Sequence, residues 1–135
     1  MTNPYELTAT DAIKLIRNNK LSRYEWVQSC FERIREKEDL VKAWVYLDEE
    51  RALEKAKQLD NENNVSQLGI PFGIKDIIDA SNTPTGFGTN FYQNNVPMRD
   101  AASVAVAKQS GCIFIGKTVS TELGHRAPGL TTNPH

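Results

Sequence analysis

Lys75 is the residue whose type and surroundings could support acid–base chemistry. It lies inside the apolar stretch of residues 72–78, next to Gly73 and Asp76. A lysine that loses its hydration among apolar side chains has a lowered pKa and can act as a base near neutral pH. The same stretch also allows a lysine at a strand end whose amine reaches water, since lysines are seldom fully buried. Lys75 is therefore the candidate catalytic residue, and both environments remain open.

A second lysine, Lys117, belongs to a pattern typical of phosphate binding. Residues 111–118 match G-x-x-x-x-G-K-[ST] at every required position. That motif needs a strand before it, an exposed loop within it and a helix after it. Here a predicted helix comes first, and residues 112–115 are an apolar run typical of a buried strand. We therefore expect no nucleotide site.

Metal and serine-nucleophile chemistry have weaker signals. The carboxylates of Asp76 and Asp79 lie close in sequence, but His125 and His135 are isolated and nothing has the spacing of metal ligands. We expect no metal site, and we expect Asp76 to cap or bind the backbone of the following turn or to orient Lys75. No Gly-x-Ser-x-Gly motif is present.

Composition excludes several classes of protein. The chain has 135 residues, 39% hydrophobic residues and a net charge of -1. These values are typical of a folded domain and argue against a disordered tail, a membrane-binding surface or direct nucleic-acid binding. Cys30 and Cys112 lie in apolar patterns, which predicts reduced, buried thiols in a cytoplasmic protein.

The first part of the chain, residues 1–67, predicts mainly a helical layer. Capping signals at Thr8 and Ser22 each precede an apolar stripe with helical spacing. Residues 43–47 are aromatic and β-branched and predict a strand, after which Asp48 can cap a third helix. Residues 61–64 are expected to end that helix as a polar loop.

The second part, residues 68–135, is rich in glycine and poor in charge. The predicted order is strand, long loop, helix, strand and helix start, over residues 68–79, 81–97, 101–110, 112–115 and from Ser120 or Thr121. Asp100 can cap the helix, Gly111 can end it, and its apolar residues predict burial. Strand, helix and strand predict a crossover between parallel strands. The expected fold class is α/β, a single partial domain with an N-terminal helical layer and the first strands and helices of a mixed sheet.

Four segments together resemble the amidase signature family. They are Leu-Gly-Ile-Pro-Phe-Gly-Ile-Lys-Asp at 68–76, Pro-Thr-Gly-Phe-Gly-Thr at 84–89, Gly-Lys-Thr-Val-Ser-Thr-Glu-Leu at 116–123 and Gly-Leu-Thr-Thr-Asn-Pro-His at 129–135. The resemblance is to the N-terminal portion of amidases and of the A subunit of tRNA-dependent amidotransferases. It implies an amidase signature fold in which Gly-Lys-Thr is a strand end.

The resemblance implies a Ser–Ser–Lys mechanism without cofactor or metal. A neutral lysine draws a proton through one serine from a second, nucleophilic serine, which attacks the amide carbonyl and forms an acyl-enzyme. Only Lys75 carries over to this sequence, as the base. Both serines belong to a segment expected shortly after His135, so we expect an N-terminal piece that is inactive alone.

The resemblance does not select a substrate. Small-molecule aliphatic amides, aryl amides, carbamoyl compounds and the glutamine of an amidotransferase all remain possible, and the substrate-binding residues are unknown. A homodimer or amidotransferase partner subunits are possible partners. The alternative hypothesis is a non-catalytic remnant or interaction module that docks on a full-length amidase through its helices or unpaired strand edges.

Overall fold

A three-stranded mixed sheet with helices on both faces organises the chain. The computed structural model describes residues 2–62 and 66–134. The helices are α1 (Ala9–Arg17), α2 (Arg23–Val41), α3 (Glu49–Glu62) and α4 (Ala102–Gln109). The strands are β1 (Trp44–Leu47), β2 (Pro71–Lys75) and β3 (Ile113–Thr118). Short 3-10 turns cover Pro4–Glu6, Asn90–Tyr92 and Glu122–Gly124. The predicted α/β class with a helical layer and a mixed sheet is confirmed.

The helices α1 and α2 begin where the capping signals predict. The hydroxyl of Thr8 accepts a hydrogen bond from the Asp11 amide at the start of α1. At the start of α2, Ser22 accepts from the Glu25 amide, and the Glu25 carboxylate accepts from the Ser22 amide in return. This reciprocal pair satisfies two amides that have no partner within the helix. Both start signals are confirmed.

The central strand of the sheet is β3, and the strand order is β1–β3–β2. The pairing of β2 with β3 is parallel and places Lys75 opposite Thr118. The pairing of β1 with β3 is antiparallel and places Trp44 opposite the same Thr118. Since α4 connects β2 to β3, the predicted strand–helix–strand crossover is confirmed.

The larger core lies between the sheet and the pair α2–α3. Its buried residues come from all three elements and are almost free of polar atoms. They are Val27, Phe31, Ala52, Ala56, Leu59, Ile113 and Ile115. The predicted stripe of α2 supplies Val27 and Phe31, while Cys30 and Ile34 are only half-buried. The helical spacing therefore correctly indicates the face of α2 that packs on the sheet.

The helix α4 covers the opposite face of the sheet and differs from its prediction. Its buried residue is Val104, which packs with Ile74 and Ala80, whereas the side chain of Val106 is 62% exposed. The expectation of a fully buried α4 is wrong, because among the described residues only one side of this helix meets the sheet. Gly111, with a φ of +78°, follows α4 as its predicted stop.

Two further local predictions are wrong. The carboxylate of Asp100 does not cap α4, because it accepts hydrogen bonds from the Ser81 amide and the Lys108 ammonium instead. No regular helix follows Ser120 within the described residues. A single 3-10 turn forms there, since Leu123 and Gly124 both have positive φ values that α-helix does not allow.

Other expectations have mixed outcomes. Residues 61 and 62 still belong to α3, and the rest of the predicted polar loop at 61–64 lies outside the described residues. Cys30 and Cys112 are unpaired thiols, as predicted, but both are half-buried rather than buried. None of the helices in the described part of the chain has the length and apolar character needed to cross a membrane.

Candidate active site

Lys75 is the last residue of β2, and its side chain is exposed. Of the two environments that the sequence allows, the structure has the strand end whose amine reaches water. Because β2 and β3 are parallel, their carboxyl ends meet at one edge of the sheet, where Thr118 lies beside Lys75. The carboxyl edge of parallel strands is where open α/β sheets usually place their ligands.

Gly73 allows an aromatic ring to pack directly on β2. A Cβ atom at this position would lie 2.7 Å from the Trp44 ring and 3.3 Å from the Thr118 methyl group. The group that approaches Gly73 is thus a side chain, the Trp44 ring. The Trp44 side chain of β1 therefore reaches the strand that ends at Lys75.

Asp76 connects the end of β2 to the loop that follows. Asp76 is 4% exposed, and both of its carboxylate oxygens accept a hydrogen bond from the Gly86 amide, each at 3.1 Å. Its backbone carbonyl accepts the Phe87 amide, and its own amide donates to the Thr118 carbonyl. Asp76 binds a backbone N–H group, as expected, but the expected place is wrong, because the donor lies ten residues away in the chain rather than in the following turn.

Lys117 is the buried lysine of this region, and sequence reasoning missed its importance. Its side chain has 0% exposure, and its ammonium donates to the Ile78 carbonyl and, over 2.8 Å, to the Thr85 hydroxyl. The Asp76 carboxylate lies 3.9 Å away. Burial lowers the pKa of Lys117 below its usual range, and the negative charges of Asp76 and Asp79 oppose that effect.

The signal for a buried lysine was present in the sequence. Lys117 follows the apolar run of residues 112–115 closely enough to continue the same strand, so its side chain could be expected to lie within the sheet. In the structure, residues 116–118 are indeed the end of β3. A Cβ at Gly116 would lie 2.3 Å from the Tyr46 carbonyl oxygen. This glycine therefore allows β3 to pack closely against β1. Residues 113–118 thus form a strand rather than the exposed loop that phosphate binding needs.

Two open clefts lie between β1 and the loops near the carboxyl edge. One is about 280 Å³ and is lined by Tyr46, Asp76 and residues of the 84–93 loop. The other is about 690 Å³ and runs from the end of α2 to the segment of residues 128–130. Val45, Gly88 and Asn90 border both clefts. The region around Asp76 is therefore accessible to a small molecule.

The other groups that the sequence singled out do not form a site. His125 is exposed, and its Nδ1 lies 3.1 Å from the Leu123 carbonyl oxygen, while His135 lies outside the described residues. Within residues 2–62 and 66–134, no three histidine, cysteine or carboxylate residues gather as metal ligands would. Ser120 is buried, and its hydroxyl donates to the adjacent Thr121 carbonyl.

Comparison with solved structures supports the architecture. Fatty acid amide hydrolase superposes with a TM-score of 0.86 at 20% identity, covering 99% of this chain and 26% of its own length. Peptide amidase from Stenotrophomonas maltophilia superposes with a TM-score of 0.80 at 26% identity, covering 90% of this chain and 26% of its own. The sheet and helices described above therefore match part of the fold of amidase signature enzymes.

Comparison of sequences leads to the same family. The A subunit of the glutamyl-tRNA(Gln) amidotransferase of Endomicrobium trichonymphae is 34% identical over 113 residues, which is 80% of this chain and 23% of that protein. The chain thus spans about a quarter of the length of the relatives that it matches. The amidase family model matches residues 25–133. The resemblance predicted from the four segments is confirmed, and this chain belongs to the amidase family.

Proposed function

We propose that Lys75 is the base of an amide hydrolase that cleaves carboxamide C–N bonds through a Ser–Ser–Lys acyl-enzyme mechanism. The observation that carries this proposal is the position of Lys75 in a chain of the amidase family: it ends β2 at the open carboxyl edge of the sheet. The exposure of its amine there leaves room for a hydroxyl group to approach.

In the proposed reaction, neutral Lys75 accepts a proton from one serine, which accepts a proton from the nucleophilic serine. The nucleophilic oxygen forms a bond to the amide carbonyl carbon, the C–N bond breaks, and the amine leaves with a proton. Water then hydrolyses the ester and restores the serine. Backbone N–H groups that face the developing oxyanion lower the barrier.

We also propose that the 135 residues alone are inactive, because the family resemblance implies that both serines and the oxyanion N–H groups belong to a segment that these residues do not match. A base without its nucleophile supplies none of the covalent step. No metal or organic cofactor is part of this proposal.

Turnover of the chain and of a longer protein tests both statements. Ammonia release from small amides is measured for the 135-residue chain and for the product of the reading frame extended past codon 135. We expect release only from the longer product, and we expect Lys75→Ala to lower its kcat about 10²- to 10⁴-fold. Lys37→Ala, at an exposed lysine of α2, is the matched control and should leave kcat unchanged.

Either statement can fail separately. Ammonia release by the 135-residue chain that Lys75→Ala abolishes would contradict the inactivity but support the base. An extended product whose Lys75→Ala variant keeps the full rate would remove Lys75 from the reaction.

Among the possible substrates, the relatives favour glutamine. A relative from Fusobacterium nucleatum, 36% identical over 96% of this chain, is the A subunit of a glutamyl-tRNA(Gln) amidotransferase. We therefore propose glutamine as the first substrate to test, ahead of aliphatic amides, aryl amides and carbamoyl compounds. In that case the partners are other amidotransferase subunits, and we expect this chain to make no direct contact with nucleic acid or membrane. The unpaired thiols suit a cytoplasmic location.

The second candidate is a non-catalytic module that docks on a full-length amidase or forms a homodimer. In the described residues, β1 and β2 each have one neighbouring strand, so each has a free edge. Large apolar side chains are also exposed in the second part, including Phe91 at 85% and Met98 at 91%. Size-exclusion chromatography of the chain, alone and with a full-length amidase, tests this candidate, and a clean monomer in both runs would contradict it.

A further inference from the structure

Lys117 is a buried charge that the proposed reaction does not use. Burial of an ammonium group costs free energy unless hydrogen bonds and a countercharge compensate it. An apolar side chain of similar length would fill the same space without that cost. The ammonium group of Lys117 instead makes two hydrogen bonds, one to each of two neighbouring segments.

The first hydrogen bond of Lys117 holds the turn that follows the lysine motif. The Ile78 amide donates to the Lys75 carbonyl over 3.0 Å, which closes a turn over residues 75–78. The Lys117 ammonium binds the carbonyl of the same Ile78. Ile78 therefore connects the two lysines, because its carbonyl accepts a hydrogen bond from Lys117 and its amide donates one to the Lys75 carbonyl.

The second hydrogen bond of Lys117 holds the loop next to that turn. Its acceptor, the Thr85 hydroxyl, belongs to a threonine with 0% exposure. The next two residues of this loop bind Asp76, Gly86 through the carboxylate and Phe87 through the carbonyl. Turn and loop therefore converge on the Lys117 ammonium.

We propose that Lys117 is a positioning residue, which ties the turn at 75–78 to the loop at 85–87 and so gives the backbone of Lys75 one orientation at the carboxyl edge of the sheet. The inference rests on the proposed role of Lys75. Lys117 acts through Ile78, Thr85 and Asp76, and it is not a catalytic residue.

Thr85 offers a mild way to test this arrangement in the 135-residue chain. Thr85→Val keeps the shape of the side chain and removes the acceptor of Lys117, whereas Thr85→Ser keeps the acceptor. Thr83→Val is the matched control, because Thr83 is similarly buried but its hydroxyl donates to the Ser81 carbonyl. The readout is amide hydrogen exchange of Ile78 and Gly86, with the Phe31 amide of α2 as a distant reference.

We expect Thr85→Val to speed exchange at Ile78 and Gly86 about tenfold, while exchange at Phe31 stays unchanged, because local opening is separate from global unfolding. Thr85→Ser and Thr83→Val should leave all three rates near the wild-type values. The carbon shift of the Lys75 carbonyl is a second readout, which should move in Thr85→Val only. Lys117→Met, if it folds, should exceed the effect of Thr85→Val.

Two results would overturn the proposal. Equal acceleration at Phe31 would mean that Lys117 and Thr85 only stabilise the whole fold. Unchanged exchange at Ile78 and Gly86 in Thr85→Val would mean that their contact holds neither segment. Because no turnover is measured, these failures are distinguishable from a failure of Lys75 as the base, which the kcat of Lys75→Ala reports.

Discussion

The two faces of the sheet are stabilised in different ways. On the α2–α3 face, seven buried apolar residues form the core, and an ion pair between Arg23 and Asp60 also joins the two helices. On the α4 face, a small cluster of Ile74, Ala80 and Val104 lies beside the buried pair Lys117 and Asp76. Apolar contact is non-directional, whereas hydrogen bonds require specific geometry. The first face therefore stabilises the fold, and the second fixes the path of the backbone around Lys75.

The largest effect should come from opening the apolar core. Phe31 is 1% exposed, so Phe31→Ala should lower the free energy of unfolding by about 3–5 kcal/mol, through lost burial and a residual cavity. Urea unfolding followed by circular dichroism measures the change. Phe91→Ala, at an 85% exposed phenylalanine, is the control and should change stability by less than about 0.5 kcal/mol. Equal losses of unfolding free energy in the two variants would mean that Phe31 and Phe91 contribute alike to stability.

The N-terminal caps of α2 and α4 provide the next comparison. Ser22→Ala removes the reciprocal cap of α2 and should cost about 1 kcal/mol. The N-cap of α4 is Ala101, which has no side-chain cap, so Ala101→Ser should gain less than Ser22→Ala loses. Thermal unfolding of both variants checks the sign and the order. A loss of stability in Ala101→Ser would mean that its packing against the α4 cluster matters more than the missing cap.

Two matched substitutions that shorten an isoleucine side chain compare the two faces of the sheet directly. Ile113→Val in the α2–α3 core and Ile74→Val beside α4 remove the same methylene group, at a usual cost of about 0.5–1.5 kcal/mol. We expect the larger cost at Ile113, because more buried neighbours surround it. Denaturant unfolding at matched protein concentration measures both. A larger cost at Ile74 would make the α4 cluster the tighter core.

The smallest effect should appear in the pH dependence of stability. The pKa of Lys117 is lowered in the folded chain, first by burial, so between that pKa and 10.5 the unfolded chain binds more protons. Stability from this residue therefore increases as pH rises through that window and is lost as pH falls through the folded pKa. Relative to Lys117→Met, the wild type should become more stable as pH approaches 10.5. A constant difference between them would mean an unshifted pKa.

Local signals were sufficient to predict much of the fold. The caps at Thr8 and Ser22, the strand before Asp48 and the crossover around α4 each depend on neighbouring residues. The failure at Asp100 depends on more distant ones. Asp100 has a suitable position for a cap, but Lys108 and the Ser81 amide compete for its carboxylate.

The candidate site shows the same limit. The lysine motif identifies Lys75 from adjacent residues, and the structure places it at the strand end. The network around Lys117 joins residues 32 and 39 positions apart in the chain, and no local pattern records those contacts. Sequence reasoning treated Lys117 as part of a chance phosphate motif, because its partners become neighbours only when β2 and β3 pair.

The central place of β3 also has a consequence for synthesis. In the described residues, β1 and β2 pair with β3 and not with each other, although both precede it in the chain. A nascent chain therefore carries two unpaired strands until residue 118 has emerged from the ribosome. About 40 residues separate the end of β2 from that point, which corresponds to about 2–8 seconds at ordinary rates of translation. During that interval the lysine motif has no strand beside it, and within the described residues β3 is the strand that joins the other two.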